Sequence, residues 1–448
     1  MNTHFQIVIL GGGESGVGAA LLAKKIGKTV FVSDNNKIKQ KYINVLKHSE
    51  IDFEEGGHSK NLVLSAGEVI KSPGIPETAD IIKAIREKKI SIISEIEFAA
   101  RYTSAKLICI TGSNGKTTTT LLLYHILKTA GVNVGVAGNI GYSFAKQVVE
   151  NNYDVYVLEI SSFQLDGIVN LRANIAILLN ITPDHLDRYD YNFSKYVDSK
   201  FRIIQNQTKD DALIYCFDDA VITEKLKNTK VLAQQFPISL KNRDFKQGAY
   251  VNNNEIIIIN NKTKIHMTLE QLALQGKHNN YNSMAAGVAS RLLEIRRETL
   301  KTCLSDFHNV AHRLEFVSSV HGISFINDSK ATNVNSAWYA LEHYDNPIIW
   351  IAGGLDKGND YSILKKLVKD KVKAIVCLGS DNDPIHDAFG DIVETIYDTN
   401  NAKEAVNTAY NIANKGDVVL LSPACASMDL FEDYEDRGNQ FKSAVKEL

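Results

Sequence analysis

The segment Lys106-Leu-Ile-Cys-Ile-Thr-Gly-Ser-Asn-Gly-Lys-Thr-Thr-Thr-Thr120 decides how the rest of the chain is read. Residues 107–110 are a short apolar run with the character of a buried parallel strand. A tight turn comes next, Gly112-Ser113-Asn114-Gly115, and then Lys116, Thr117, Thr118 and Thr119. Leu121, Leu122, Leu123, Ile126 and Leu127 continue at helical spacing. Strand, glycine turn and helix make a phosphate cradle. The helix N-terminus offers unpaired N–H groups and a positive dipole end. The glycines admit the anion, Lys116 reaches terminal phosphates, and the Thr117 hydroxyl suits a magnesium ion. The turn is shorter than the common P-loop, because Ile110 stands where that loop has a further glycine. The competing reading is an ordinary strand–helix connection with a surface lysine, and the strand-to-helix context favours phosphate.

With 448 residues, the chain has room for two to four domains and ample core. Its 44% hydrophobic and 23% charged residues are ordinary for a soluble globular protein. A net charge of −2 argues against nucleic acid or an anionic membrane as the main partner. Cys109, Cys216, Cys303, Cys377 and Cys425 form no C-x-x-C pair, which speaks against a disulfide framework or zinc knuckle and fits a reducing cytosol. There is no signal-peptide pattern and no apolar run of membrane-spanning length. A cytoplasmic location is expected.

From the N-terminus, residues 5–10 read as a strand, followed by Gly11-Gly-Gly-Glu-Ser-Gly16 and a helical run. Gly11, Gly13 and Gly16 satisfy G-x-G-x-x-G, and the next strand ends in Asp34, near the spacing of a ribose-binding acid. Taken alone, this suggests a nicotinamide dinucleotide site. Short strands are expected at 62–64 and 68–71, then the turn Ser72-Pro-Gly74-Ile-Pro76, a helix over 78–88 and a strand at 90–93. The β-α alternation predicts a mostly parallel sheet.

After the P-loop helix come a strand at 132–136, Gly138-Asn139-Ile-Gly141, and an apolar strand ending in Glu159. An acid at a strand end near a P-loop suits a magnesium-organising carboxylate, against a plain surface glutamate. A further strand leads to Asn180-Ile-Thr-Pro-Asp184-His185. Residues 193–205 read as a helix whose apolar face includes Tyr196, Val197, Phe201 and Ile204. Lys200 borders that face, and periodicity alone predicts that it snorkels to water. A partly desolvated amine with a lowered pKa is the alternative. Residues 240–268 read as a peripheral hairpin, and a helix is expected over 279–293.

Together, these segments resemble the Mur ligases. The resemblance rests on TGSNGKTT (111–118), LEISSFQL (158–165), NITPDHLDRY (180–189), HNNYN (278–282), HRLE (312–315), NDSKATN (327–333), AGGLDKG (352–358) and SPACASMDLFEDYEDRG (422–438). It implies an α/β fold of three Rossmann-like domains: 1–95 for a UDP-sugar substrate, 96–297 as a central P-loop ATPase-type domain, and 298–448 for the incoming amino acid. The implied reaction adds D-glutamate to UDP-N-acetylmuramoyl-L-alanine through an acyl phosphate, consuming ATP with two magnesium ions, in a monomer.

Carried over by motif, the resemblance assigns one magnesium to Thr117 and Glu159 and the second to His185 and a carbamylated Lys200. Asn279, Asn282, Arg313 and Asp328 are implied as ATP contacts beside residues 112–119. Ser15, Asp34, Ser72 and Gly74 are implied for the UDP portion, and Asn139, Ser161 and Gln164 for the rest of that substrate. Lys330, Thr332, Lys357, Ser427 and Tyr434 are implied around D-glutamate. Two residues depart from the pattern: Leu355 directly follows the Gly-Gly where some relatives have an acid, leaving Asp356 as the acid, and Tyr434 replaces a frequent phenylalanine. A nicotinamide dehydrogenase would explain the first glycine turn but not the second. A P-loop switch or motor would explain Lys116 and Glu159 but should hydrolyse ATP without an amino-acid acceptor. A folylpolyglutamate-type ligase is disfavoured by residues 422–438.

Overall fold

The computed structural model describes residues 5–260, 263–307 and 311–448. They form two compact units, Met1–Phe307 and His308–Leu448.

The first unit contains two sheets. The N-terminal sheet is all parallel: β1 (Ile7–Leu10), β2 (Val30–Asp34), β3 (Asp52–Glu55), β4 (Glu68–Lys71) and β5 (Ser91–Ser94), in the order β3-β2-β1-β4-β5. Alternate residues bury opposite faces. Val8, Leu10, Phe31 and Val69 meet Ile81, Ile82 and Ile85, whereas Ile7, Ile9, Val32 and Ile70 share a core with Val17 and Ala20 of helix Glu14–Lys25. The strand expected at 62–64 is instead part of helix Lys60–Val63, a short apolar run that periodicity cannot assign. β3 escapes a sequence reading because Asp-Phe-Glu-Glu is a partly exposed edge strand without an apolar run.

The central sheet holds β6 (Lys106–Thr111), β7 (Val134–Gly138), β8 (Val155–Glu159), β9 (Ile175–Leu178), β10 (Ala212–Cys216), β11 (Gln234–Ser239), β12 (Gly248–Asn252), β13 (Glu255–Asn260) and β14 (Thr263–Thr268). Their order is β14-β13-β12-β11-β10-β9-β6-β8-β7. Pairing is parallel as far as β12, and β12, β13 and β14 form an antiparallel meander. The region expected as a peripheral hairpin is therefore a three-stranded extension of this sheet, with Ile256 and Ile258 buried in its core.

Helix Glu14–Lys25 packs on helix Phe144–Glu150, so the two sheets share one hydrophobic core. The first expected domain boundary, after residue 95, lies inside this unit at the first residue of helix Glu95–Ala100. The compact unit extends past the second, expected after residue 297. Helix Arg297–Asp306 packs on helix Lys116–Thr129 and buries Leu300, Cys303 and Leu304, which moves the end of the unit to Phe307.

The second unit has one sheet: β15 (Glu315–Val320), β16 (Ile323–Asn327), β17 (Ile348–Gly353), β18 (Val372–Leu378), β19 (Ile396–Thr399) and β20 (Val418–Ala424). Its order is β15-β16-β20-β17-β18-β19, parallel except for β15 against β16. Apolar clusters cover both faces, which is why its strands read as continuous apolar runs. No helix among the described residues is long and apolar enough to cross a membrane.

Strand order decides where ligands can sit. Open α/β sheets bind at the carboxyl ends of strands, where the chain switches direction across the sheet. Those places are the ends of β1 and β4, the ends of β6 and β9, and, in the second unit, the adjacent ends of β16, β20 and β17.

Candidate active site

The turn after β6 carries Gly115 at φ +83, directly before helix Lys116–Thr129. A β-carbon there would collide with Asn282 Oδ1 and lie 3.1 Å from His278 Nε2. Only glycine fits both the backbone and the space. Asn282 reaches the turn from helix Lys277–Leu292 and accepts from Thr119 Oγ1 (3.1 Å) and donates to Asn279 Oδ1 (3.1 Å). The predicted neighbours Asn279 and Asn282 are thus beside the P-loop.

Ser113 and Asn114 are stitched to the end of β9. Ser113 N–H donates to Asn180 O (2.9 Å), and Asn114 N–H to Asn180 Oδ1 (2.8 Å). Ser113 Oγ donates to Thr182 O (2.8 Å) and lies 3.0 Å from Tyr196 Oη. These bonds tie the turn to the segment that follows β9.

Lys116 Nζ folds back onto Gly112 O (2.9 Å) and Ser113 O (2.8 Å). Lys200 Nζ donates to the same Gly112 O at 2.8 Å. Lys200 does not snorkel. It is 1% exposed, at the inner end of helix Phe193–Phe201, with its ammonium 4.6 Å from the Tyr196 ring centre. Burial pushes its pKa well below the ordinary lysine value, and nearby Lys116 pushes it further the same way. Periodicity misses this because the amine's partner is far away in sequence.

Glu159 ends β8 beside Ile110 of β6 and is 2% exposed. Its Oε1 accepts from Asn139 Nδ2 (2.8 Å), whereas Oε2 is buried without a hydrogen-bond partner. A buried, half-satisfied carboxylate is costly unless a cation completes it. Thr117 is buried in the adjoining first helical turn, where Thr118 Oγ1 also lacks a partner. An oxygen-rich set of carboxylate and hydroxyl suits magnesium. His185 lies across the switch point, 3.7 Å from Asp184 and edge-on to Phe163. The residues present fit a nucleotide phosphate with its cation.

Ser161 and Gln164 are engaged with each other as the capping box of helix Ser162–Asp166. In the N-terminal sheet, Asp34 accepts from Gly12 N (2.6 Å) and Asn36 N (2.8 Å), which orders the glycine turn. Ser72 lies over Gly11, and Ser15 is in the first turn of helix Glu14–Lys25. Arg188 donates to the carbonyls of Pro73, Gly74 and Ile75 and stacks on Phe163, tying this rim to the segment that carries His185.

In the second unit, Asp328 is buried and accepts from Leu314 N (3.2 Å) and Ser422 Oγ (2.8 Å). Burial raises its pKa to about 6 against the pull of Arg313. Lys330 Nζ donates to Tyr434 Oη at 2.9 Å and lies over that ring. Thr332 follows on the same loop, Ser427 is the third residue of the loop after β20, and Lys357 is exposed after β17. Arg437 is fully buried and donates to Ser329 Oγ (3.0 Å) and O (2.9 Å) and to Cys425 O (3.3 Å), joining two of these loops. Neither Arg437 nor Tyr196 stands out in a sequence reading, because one resembles a surface charge and the other a core aromatic.

A phosphate turn at a switch point beside an incomplete carboxylate is the arrangement of phosphate-handling α/β proteins. Three family models match: the MurD N-terminal domain over residues 6–81, the Mur ligase middle domain over 110–290, and the Mur ligase glutamate ligase domain over 312–425. The chain belongs to the Mur ligase family. It is 54% identical over 443 residues to a UDP-N-acetylmuramoylalanine–D-glutamate ligase of Christiangramia forsetii, covering 99% of each chain. It is 53% identical to the ligase of that name from Bacteroides fragilis, covering 99% of this chain and 100% of the relative. In fold it is similar to a pseudomurein peptide ligase type C from Methanothermus fervidus, with a TM-score of 0.63, 19% identity and 99% of each chain covered.

Proposed function

We propose that this chain joins D-glutamate to UDP-N-acetylmuramoyl-L-alanine at the expense of ATP, in the synthesis of a peptidoglycan precursor. The observation that carries the chemistry is the pair of lysines on Gly112 O, next to a turn whose neighbouring carboxylate has one oxygen unsatisfied. The choice of substrates rests on the full-length similarity to D-glutamate ligases.

A carboxylate is a poor electrophile. Transfer of the ATP γ-phosphoryl group to the substrate's alanyl carboxylate makes an acyl phosphate and releases ADP. The D-glutamate amine then adds to the acyl carbon, and the tetrahedral intermediate expels phosphate and loses the amine proton. Phosphoryl transfer needs mainly positioning and charge neutralisation. Lys116 leaves its carbonyl partners to neutralise phosphate oxygens, and the helix N–H groups orient them. Thr117 and Glu159 hold one magnesium ion, and His185 and Lys200 the second. Magnesium, when bound, supplies charge neutralisation on the phosphate oxygens.

For Lys200 to be a ligand it must change charge. Burial of the side chain favours the neutral form of this amine. The amine nitrogen adds to the carbon of carbon dioxide and loses one proton, leaving a carbamate with a carboxylate-like end. Asn139, held by Glu159, faces the alanyl end of the substrate. Ser15, Asp34, Ser72 and Gly74 hold the UDP portion. Asn279 and Asn282 are the adenine-side contacts, Arg313 and Asp328 are nucleotide contacts contributed by the C-terminal domain, and Lys330, Thr332, Lys357, Ser427 and Tyr434 receive D-glutamate. Cations and hydroxyl donors are what a dicarboxylate requires. All five cysteines are unpaired and buried, in keeping with a cytoplasmic enzyme. We read it as a monomer of three functional domains.

The test is phosphate release from ATP with acceptors added one at a time. Release should require both UDP-N-acetylmuramoyl-L-alanine and D-glutamate. Release indifferent to D-glutamate overturns the proposal.

A further inference from the structure

We propose that Tyr361 is a positioning residue for the incoming amino acid, acting through Asp356 and Cys425 to hold the Lys357 loop against the Ser427 loop. The inference rests on the ligase function proposed above.

The loops after β17 and β20 meet in a short antiparallel bridge. Leu355 N–H donates to Ala426 O (2.9 Å), and Ala426 N–H to Leu355 O (3.2 Å). Gly354, at φ +124, permits the approach, because a β-carbon there would press on Ala426 O. Lys357 and Ser427 therefore extend from a common clamp.

Asp356 organises the turn beyond this bridge. Its Oδ1 accepts from Gly358 N (2.6 Å) and Asn359 N (3.0 Å), closing the backbone around Lys357. Its Oδ2 accepts from Tyr361 Oη (2.6 Å) and Asn359 Nδ2 (3.1 Å). The acid of this loop thus faces inward, whereas Lys357 is exposed. Tyr361 is buried, lies edge-on to Phe389, and places its hydroxyl 3.1 Å from Cys425 Sγ in the partner loop. Asn359 Nδ2 reaches the last residue of β20, directly before that loop, at Ala424 O (3.4 Å). The hydroxyl–carboxylate bond is charge-assisted and partly shielded from water, so its loss slackens the turn that aims Lys357. A ligand held by two loops is sensitive to the spacing between them.

The experiment measures kcat, KM for D-glutamate, KM for ATP and the thermal midpoint on the full chain. Tyr361→Phe keeps the ring on Phe389 and removes the hydroxyl. It should raise the D-glutamate KM about tenfold and leave the ATP KM within about twofold. Asp356→Asn should act in the same direction. Phe389→Leu loosens the packing without touching the hydrogen bonds, so it should lower the midpoint and spare the D-glutamate KM. A wild-type D-glutamate KM in folded Tyr361→Phe and Asp356→Asn overturns the inference, as does an equal rise in Phe389→Leu. A wild-type chain indifferent to D-glutamate overturns the ligase reading itself, and this inference with it.

Discussion

The first unit contains two glycine turns built on the same plan, one after β1 and one after β6. Each follows a buried parallel strand and leads into a helix N-terminus. Their surroundings differ. The turn after β1 is closed by an acid: Asp34 accepts from Gly12 N, and Ser72 lies over Gly11. The turn after β6 is flanked by two lysines on one carbonyl oxygen and by a carboxylate with an unsatisfied oxygen. A glycine turn provides the helix-end N–H groups and room for an anion. Whether the site only holds a phosphate or transfers one depends on charges brought from elsewhere in the chain.

The largest test of this contrast is Lys200→Ala. It should cut turnover by about a thousandfold or more, because a charge-organising group is lost from the phosphoryl-transfer site. Circular dichroism should show an intact fold, since Lys200 is held by one carbonyl and one ring rather than by a salt bridge. Normal turnover would reduce Lys200 to packing. Lys116→Ala should cost about a hundredfold or more in kcat. If that variant keeps its turnover, the second turn is no different from the first.

Asp34→Ala addresses the first turn. It should raise the KM for the UDP substrate about tenfold while kcat stays within about twofold, the mark of lost binding rather than lost chemistry. An equal fall in kcat would give both turns a chemical role and erase the contrast.

The smallest effect concerns the join between the two sheets. Glu95 is buried between them and accepts from Ser143 Oγ (2.7 Å) and Ala145 N (2.6 Å). Burial pushes its pKa from 4.5 up to about 7, with nearby Glu14 adding to the rise. The folded state therefore holds this proton more tightly than the unfolded chain. Its contribution is full below about pH 4.5 and is lost as pH rises through about 7. Thermal melts should show the first unit losing a few degrees from this group between those limits. Glu95→Gln should flatten that dependence, and an unchanged slope would assign it to other groups.

The strands around both turns are legible in the sequence because parallel strands buried on two faces leave continuous apolar runs. The edge strand β3 and the helix at Lys60–Val63 are not, since neither has a pattern longer than a turn. Helix Arg297–Asp306 joins the first unit through helix Lys116–Thr129, a partner remote in sequence that local spacing does not reveal. Glu159 and Lys116 can be proposed from their strand-end and turn positions. The conduct of Lys200 cannot. Periodicity compares a residue with its neighbours along one helix, whereas Gly112 O and the Tyr196 ring together decide that its amine stays inside.

By itself, the sequence determined the parallel α/β architecture, the two glycine turns, and the residues able to carry charge at strand ends. These arise from local spacing, which sets where the backbone turns and which faces are apolar. The tertiary structure alone decided which charges meet. It set Lys200 on the carbonyl of Gly112, left one oxygen of Glu159 without a partner, and turned Asp356 inward onto Tyr361. Burial and distance fix the strength of an electrostatic interaction, and both are created only when remote segments pack.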